Sequence, residues 1–184
     1  QPDRSRGELT HRFAHLLPSG TDVLFTLRIA TQASFDEAQI AVLSLKTGQW
    51  RVVLDGGTFA RYAEPGYLLY ARAGTLLAVP FDLSRLEVTG PAAPVVPDLA
   101  VEDSTGAAHF AMSERGLLVF ARGGKRISER TLMWVDRQNV TRPVLEARRA
   151  YLSPRISPDG RHIVMTIQEA NDNVWTYDLA DATL

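Results

Sequence analysis

The sequence predicts an all-β fold, a partial β-propeller of about four antiparallel four-stranded blades of which the last is incomplete. Two observations lead to this prediction. A short turn that ends in glycine occurs four times, at Gly20, Gly66, Gly116 and Gly160, with spacings of 46, 50 and 44 residues, and such a period is typical of propeller blades. An apolar, β-rich run follows each glycine, and no amphipathic helix of useful length interrupts the pattern.

Each unit divides into strands in the same order. A short strand precedes the glycine, the apolar run forms a second strand, and a third strand follows. The apolar runs show little polar alternation, which is typical of strands that pack on both faces. First strands are predicted at 12–17, 59–63, 108–113 and 152–157, second strands at 23–27, 67–70, 117–120 and 163–167, and third strands at 39–45, 76–82, 132–136 and 174–178.

The third strands end at turns, and fourth strands follow three of them. Asp82, Asp136 and Asp178 end three third strands, and Ser44 takes that place in the first unit; these side chains can accept hydrogen bonds from nearby backbone N–H groups. Fourth strands are predicted at 50–54, 94–97 and 143–146, and proline marks the last two as edge strands. The segment 81–91 resembles a helix, but its glycine, proline and β-branched residues oppose one. The approximate blades are 10–57, 58–100, 107–148 and 151–184.

Composition excludes several function classes. Hydrophobic residues make up 45% of the 184 residues, enough for a core, and the net charge of −1 argues against a nucleic-acid partner. The absence of cysteine excludes disulfides and cysteine-based zinc sites. Apolar runs are short, so we expect no insertion into a membrane. The chain begins at Gln1 and stops where another strand is expected, so we predict that it belongs to a longer polypeptide.

The fourth unit carries the most specific motif. Ser157-Pro158-Asp159-Gly160-Arg161 precedes an apolar strand, and Val174-Trp175-Thr176-Tyr177-Asp178-Leu179 follows it. This arrangement resembles the TolB-type β-propeller repeat. The resemblance implies that the Ser-Pro-Asp-Gly turn joins the first and second strands and that the later segment forms the third.

A broader likeness covers nearly the whole chain. Its blocks, at 7–45, 60–82 and 134–138, are similar to the C-terminal propeller of Ser/Thr protein kinases from soil-type bacteria, in which a membrane helix separates a cytoplasmic kinase from the propeller. The resemblance implies a non-catalytic sensor or interaction module with an extracytoplasmic location. The alternatives are a gating propeller of a prolyl-oligopeptidase-type peptidase and a TolB-like envelope scaffold. A kinase and membrane helix upstream, or a hydrolase domain downstream, would separate them.

The candidate ligand-binding residues are His15, Arg61 and Arg155. Each lies five residues before the glycine of its unit, on the first strand, where the third unit has Ala111. Basic side chains there could hold a small anionic ligand or the carboxylate terminus of a protein or peptide partner. The competing interpretation is that the arginines bond across blades to acidic partners.

The sequence suggests no catalytic, cofactor or metal site. His11 and His15 lie four apart on a strand and not a helix, and neither His109 nor His162 has an acidic companion at ligand spacing. No Gly-x-Ser-x-Gly motif occurs, so the serines are interpreted as turn hydroxyls. The Gly56-Gly57 and Gly123-Gly124 pairs lack the phosphate-loop pattern, the loop at 169–173 is too short for calcium, and Trp50, Trp134 and Trp175 are interpreted as packing residues.

A partial propeller would expose two blade faces rich in apolar side chains, and such faces act as interfaces. We therefore expect two copies of the chain to pair as a homodimer of about eight blades that completes a ring.

Overall fold

The computed structural model describes residues 1–113, 116–123, 130–168, 173–181 and 183. These residues form sixteen β-strands and one 3-10 turn at Arg4–Arg6, and the strands build four antiparallel sheets. The all-β prediction is confirmed. The chain forms two compact units, the first made of residues 1–97 and 101–107 and the second of residues 98–100 and 108–184.

The first unit contains two sheets. Strands of the first sheet pair in sequence order: β1 (Glu8–Leu16), β2 (Asp22–Ile29), β3 (Gln39–Ser44) and β4 (Trp50–Asp55). The second sheet contains β5 (Thr58–Ala63), β6 (Tyr67–Arg72), β7 (Thr75–Asp82), β8 (Glu87–Val88) and β9 (Ala93–Val96). Strands β8 and β9 both pair with β7. The segment 81–91 therefore forms a short hairpin, in which Phe81 and Asp82 lie on the predicted third strand and only β8 was not predicted as strand.

The second unit also contains two sheets. The third sheet comprises β10 (Phe110–Met112), β11 (Leu118–Ala121), β12 (Leu132–Val135) and β13 (Thr141–Pro143). Its outer strand begins two residues earlier than predicted, because the turn after β12 closes with a 3.1 Å bond from Asp136 N to Val140 O. The fourth sheet comprises β14 (Ala150–Ile156), β15 (His162–Gln168) and β16 (Asn173–Asp178). As expected, it has three strands among the described residues.

The repeated glycine turn shares two features in all four sheets, although the second turn differs in containing a cis Glu64-Pro65 peptide bond. Each glycine has a positive φ, between +67° and +140°, which a residue without Cβ adopts at little cost. Its backbone N–H donates to the carbonyl three residues earlier, at 2.9 to 3.1 Å. Residues 114–115 of the third turn lie outside the described residues. Each turn joins the first and second strands of its sheet, as the repeat predicts.

The aspartates that end the third strands act as predicted. The Oδ1 atoms of Asp82, Asp136 and Asp178 each accept hydrogen bonds from two backbone N–H groups in the following turn. In the first sheet the turn is closed by the backbone, since Gly48 N donates to Ser44 O at 2.8 Å. The turn after the third strand is thus held by an aspartate side chain in three sheets and by a backbone hydrogen bond in the first.

Each unit has a hydrophobic core between its two sheets, and the first sheet has a further small cluster around Phe25, Leu27 and Ala41. The second and third strands supply most of each core. Four successive residues of β6, 68–71, are each at most 7% exposed, so this strand packs on both faces as predicted. The core of the first unit contains Leu17, Leu24, Ile40, Val42, Ala60, Leu68, Tyr70, Val79 and Phe81. The core of the second contains Val119, Leu132, Tyr151, Ile163, Met165, Ile167 and Tyr177. Among the described residues no helix is long and apolar enough to cross a membrane.

Candidate functional site

The first strands of three sheets share an irregularity that the sequence did not predict. In β1, β5 and β14 the pairing with the next strand shifts register, between Arg12 and His15, Thr58 and Arg61, and Leu152 and Arg155. Each of these β-bulges contains a non-glycine residue with positive φ: Phe13 (+58°), Phe59 (+58°) and Ser153 (+48°). A bulge bends its strand and redirects the side chains beside it.

The bulges and the candidate basic residues occur together. Each bulge residue lies two positions before His15, Arg61 or Arg155. Strand β10 pairs with β11 in regular register and has Ala111 at the corresponding position. A left-handed conformation costs a non-glycine residue about 1–2 kcal/mol, and backbone strain of this kind concentrates at functional sites.

Arg61 is held between the two bulges of the first unit. Its Nη1 donates to the carbonyl of Phe13 at 3.2 Å and to that of Ala60 at 2.8 Å. Its guanidinium carbon lies 4.1 Å from the centroid of the Phe59 ring, and the rings of Phe13 and Phe59 lie 4.9 Å apart. Arg61 therefore bonds from its own sheet to the first sheet, where the acceptor is a backbone carbonyl of β1 and the interpretation from sequence had an acidic partner.

His15 lies close enough to Arg61 for the two charges to interact. Burial, and then the positive charge of Arg61, lower the pKa of His15 to about 4. At neutral pH the imidazole is therefore uncharged. The positive charge of this pair comes from Arg61, and His15 adds a hydrogen-bonding group.

Arg155 belongs to the second unit, where Nη1 donates to Pro154 O at 2.9 Å. A buried side chain supports the bulge in each unit. Ser153 N donates to Nδ1 of His109, which is 3% exposed, and Phe59 N donates to Oγ1 of Thr26, which is 1% exposed. Nothing in the sequence marks these two supporting side chains.

The other histidines have partners that the sequence did not reveal. His11 Nε2 lies 3.0 Å from Glu8 Oε2. His162 Nε2 lies 3.2 Å from Asp178 Oδ2. His162 has no acidic companion at ligand spacing in the sequence, but the pairing of β15 with β16 places Asp178 directly beside it. In the described part of the chain no three His, Asp or Glu side chains are placed to hold a metal.

Ser113 and the three tryptophans have structural roles, and two of the tryptophans also border cavities. Ser113 is a turn hydroxyl, since its Oγ accepts from Leu117 N at 3.1 Å. Trp134 and Trp175 pack against the core of the second unit, and Trp50 packs edge-on against Phe25 at 6.1 Å. Trp134 and Trp50 also border cavities of about 560 and 570 Å³. The oxygen-rich residues 169–172 and Gly124 lie outside the described residues.

Solved structures with similar architecture come from proteins of different activities. TolB from Acinetobacter baumannii matches with a TM-score of 0.68 and 14% identity, over 94% of this chain and 42% of that chain. The chain is a partial β-propeller. A similar propeller region occurs in a puromycin-hydrolysing peptidase of Mycobacterium tuberculosis, with a TM-score of 0.71, 12% identity and coverage of 94% and 28%. Oligogalacturonate lyase from Vibrio parahaemolyticus matches with a TM-score of 0.63, 16% identity and coverage of 93% and 51%.

These similarities concern the fold. The partial propeller spans between 28% and 51% of the three proteins. No family model and no curated protein matches it.

Replacing His15 with glutamine should change the acid stability of the partial propeller. Between pH 6.5 and about 4 the unfolded chain binds a proton on His15 that the folded chain excludes. Its free energy of unfolding therefore falls as the pH decreases through this window. We expect this contribution to be about 1–2 kcal/mol, because solvent screens the partly exposed ring. Urea unfolding at pH 7 and pH 4.5 measures it.

The comparison with His15→Gln isolates this contribution, since other groups titrate equally in both proteins. The variant should lose less stability between the two pH values than the parent. An Arg61→Gln variant should raise the pKa of His15, as read from the imidazole resonances by NMR. An unchanged pKa would contradict the placement of Arg61 beside His15.

Proposed function

We propose that the chain is a non-catalytic binding module that recognises an anionic group, such as the carboxylate terminus of a protein or peptide partner, at the bulged first strands. One observation carries this proposal: each of the three bulged strands places a basic residue two positions after its bulge residue, and the strand without a bulge has alanine there. A strained backbone costs stability. Its presence beside a basic side chain is therefore better explained by a role in binding than by a role in packing. Arg61 supplies the charge and His15 a neutral hydrogen-bonding group.

The proposal places this module in a larger bacterial signalling protein. The blocks at 7–45, 60–82 and 134–138 support the comparison with kinase-associated propellers, and with it a sensor role and an extracytoplasmic location. Recognition at the bulged strands would then be passed to an attached effector domain. Sequencing the flanking chain tests this part, since a kinase and a membrane helix upstream are expected.

A peptide with a free carboxylate tests the binding site. We expect acetyl-trialanine with a free C-terminus to bind and its C-terminal amide to bind at least about tenfold more weakly, because charge-assisted hydrogen bonds are the stronger kind. Arg61→Gln should weaken binding of the carboxylate by about tenfold. Isothermal titration calorimetry measures both effects.

Arg148→Gln is the matched control, because Arg148 is an exposed arginine outside the first strands. It should bind the carboxylate peptide like the parent. Equal binding of the free acid and the amide would overturn the proposed anion site.

A gating propeller for a peptidase is the second candidate function. It is favoured by the similarity to the puromycin-hydrolysing peptidase, of which this chain spans 28%. A TolB-like scaffold role rests in the same way on TolB. A downstream hydrolase domain in the full sequence would favour the peptidase over the binding module.

The partner that would complete the propeller is, on this proposal, a second copy of the chain. Four sheets form about half of a ring of eight blades. Light scattering after size exclusion should then give a mass near twice 20.3 kDa, and a mass near that of one chain would contradict pairing.

A further inference from the structure

Glu8 is a buried carboxylate with one oxygen that lacks a hydrogen-bond partner. The residue is 3% exposed. Its Oε2 accepts from Asp3 N at 2.7 Å and lies 3.0 Å from His11 Nε2. Its Oε1 has no hydrogen-bond partner among the described residues. Because an unsatisfied buried oxygen is costly, this atom marks a position where a donor from another molecule would be favourable.

The carboxylate lines a cavity that suits a flat cation. Glu8, Trp50, Arg6, Arg51 and Gln39 border this space of about 360 Å³, which is within the range of roughly 300–1,000 Å³ for small-molecule sites. The indole of Trp50 supplies an aromatic face to the same cavity. A carboxylate beside an indole is the environment that attracts a guanidinium, through charge-assisted hydrogen bonds and cation–π contact.

Arg6 already occupies part of this position without satisfying Oε1. Its guanidinium carbon lies 4.8 Å from the centroid of the Trp50 ring, and its Nε lies 3.9 Å from Glu8 Oε1, beyond hydrogen-bond distance. The Arg6 side chain is 61% exposed, so little packing holds it there. Arg6 therefore acts as an internal stand-in that a better-placed guanidinium can displace.

We propose that Glu8 and Trp50 form a binding site for a guanidinium group, with Arg6 as its internal competitor. The site lies on the first sheet and is separate from the anion site at Arg61. Glu8 Oε1 accepts the hydrogen bonds of the ligand, and Trp50 covers its face. An arginine side chain of a partner polypeptide and a small guanidinium compound share this chemistry.

Binding of acetyl-arginine amide to the full chain tests the site. Chemical-shift changes of the Trp50 indole N–H, assigned with Trp50→Phe, report occupancy by NMR. We expect acetyl-arginine amide to shift this resonance and acetyl-citrulline amide, its neutral analogue, to leave it unchanged. Arg6→Ala should tighten binding severalfold, because the internal competitor is removed, and Glu8→Gln should weaken it by about tenfold.

The variants separate this site from general structural effects. Glu64→Gln removes an exposed carboxylate in a turn and should bind like the parent. Arg6→Ala changes an exposed side chain, so it tests the proposal even if Glu8→Gln unfolds. If an extended peptide with one arginine binds more tightly than acetyl-arginine amide, the ligand is a polypeptide partner. If the two bind equally, the ligand is a small guanidinium compound. Unchanged or weaker binding by Arg6→Ala, or equal binding of the citrulline analogue, would overturn the proposal.

Discussion

Gly106→Ala should destabilise the first unit by about 2–4 kcal/mol. Gly106 has a φ of +75°, and a Cβ at this position would lie 2.5 Å from ring atoms of Phe35 and 2.8 Å from Thr58 Oγ1. Phe35 is 4% exposed, and Thr58 Oγ1 donates to Gly106 O at 3.0 Å. Neither neighbour can move without breaking a buried contact. Urea unfolding at pH 7 measures the loss.

Gly48→Ala is the matched control for the steric part of this effect. Gly48 has nearly the same φ, +70°, but a Cβ there would meet nothing within 4 Å. It should cost about 1 kcal/mol, the price of placing alanine in a left-handed conformation. The difference between the two losses of unfolding free energy measures the steric cost of placing a Cβ where the segment 101–107 packs closely against Phe35. Equal losses would show that the close packing at Gly106 makes no steric contribution to the loss of stability.

Thr26→Val should destabilise the chain by about 1–3 kcal/mol and disturb the candidate site. The Thr26 hydroxyl accepts the backbone N–H of Phe59 at 3.0 Å, and both residues are at most 5% exposed. Valine keeps the shape of threonine and removes the hydroxyl, so the buried hydrogen bond from Phe59 N to Thr26 is lost. Urea unfolding measures the loss of stability, and the pKa of His15 by NMR measures the displacement of Arg61.

Thr176→Val provides the comparison, because Thr176 is an exposed threonine on strand β16. It should change the free energy of unfolding by less than about 0.5 kcal/mol. If Thr26→Val lowers stability without moving the pKa of His15, the bulge at Phe59 does not position Arg61. The anion site would then need another explanation.

The repeated sheet was predictable because its signals are local. A glycine turn, an apolar run and a terminal aspartate each determine backbone structure within a few residues, and Asp82, Asp136 and Asp178 act as their positions predict. The candidate site was predictable only as positions on first strands. The bulges at Phe13 and Phe59 depend on contacts between residues distant in sequence, such as Thr26 with Phe59. No sequence pattern marks Glu8, because its burial arises only when the first sheet is folded.

The division of the chain into units has a consequence for making fragments of it. Residues 98–100 belong to the second unit, whereas 101–107 return to the first, so the two units are interleaved along the backbone. A fragment that ends at residue 97 would lack Gly106 and leave Phe35 uncovered, and one that starts at residue 108 would lack the segment that bonds to Ala121. During synthesis the first unit is complete only after residue 107 has emerged. No single cut separates the chain into two intact halves.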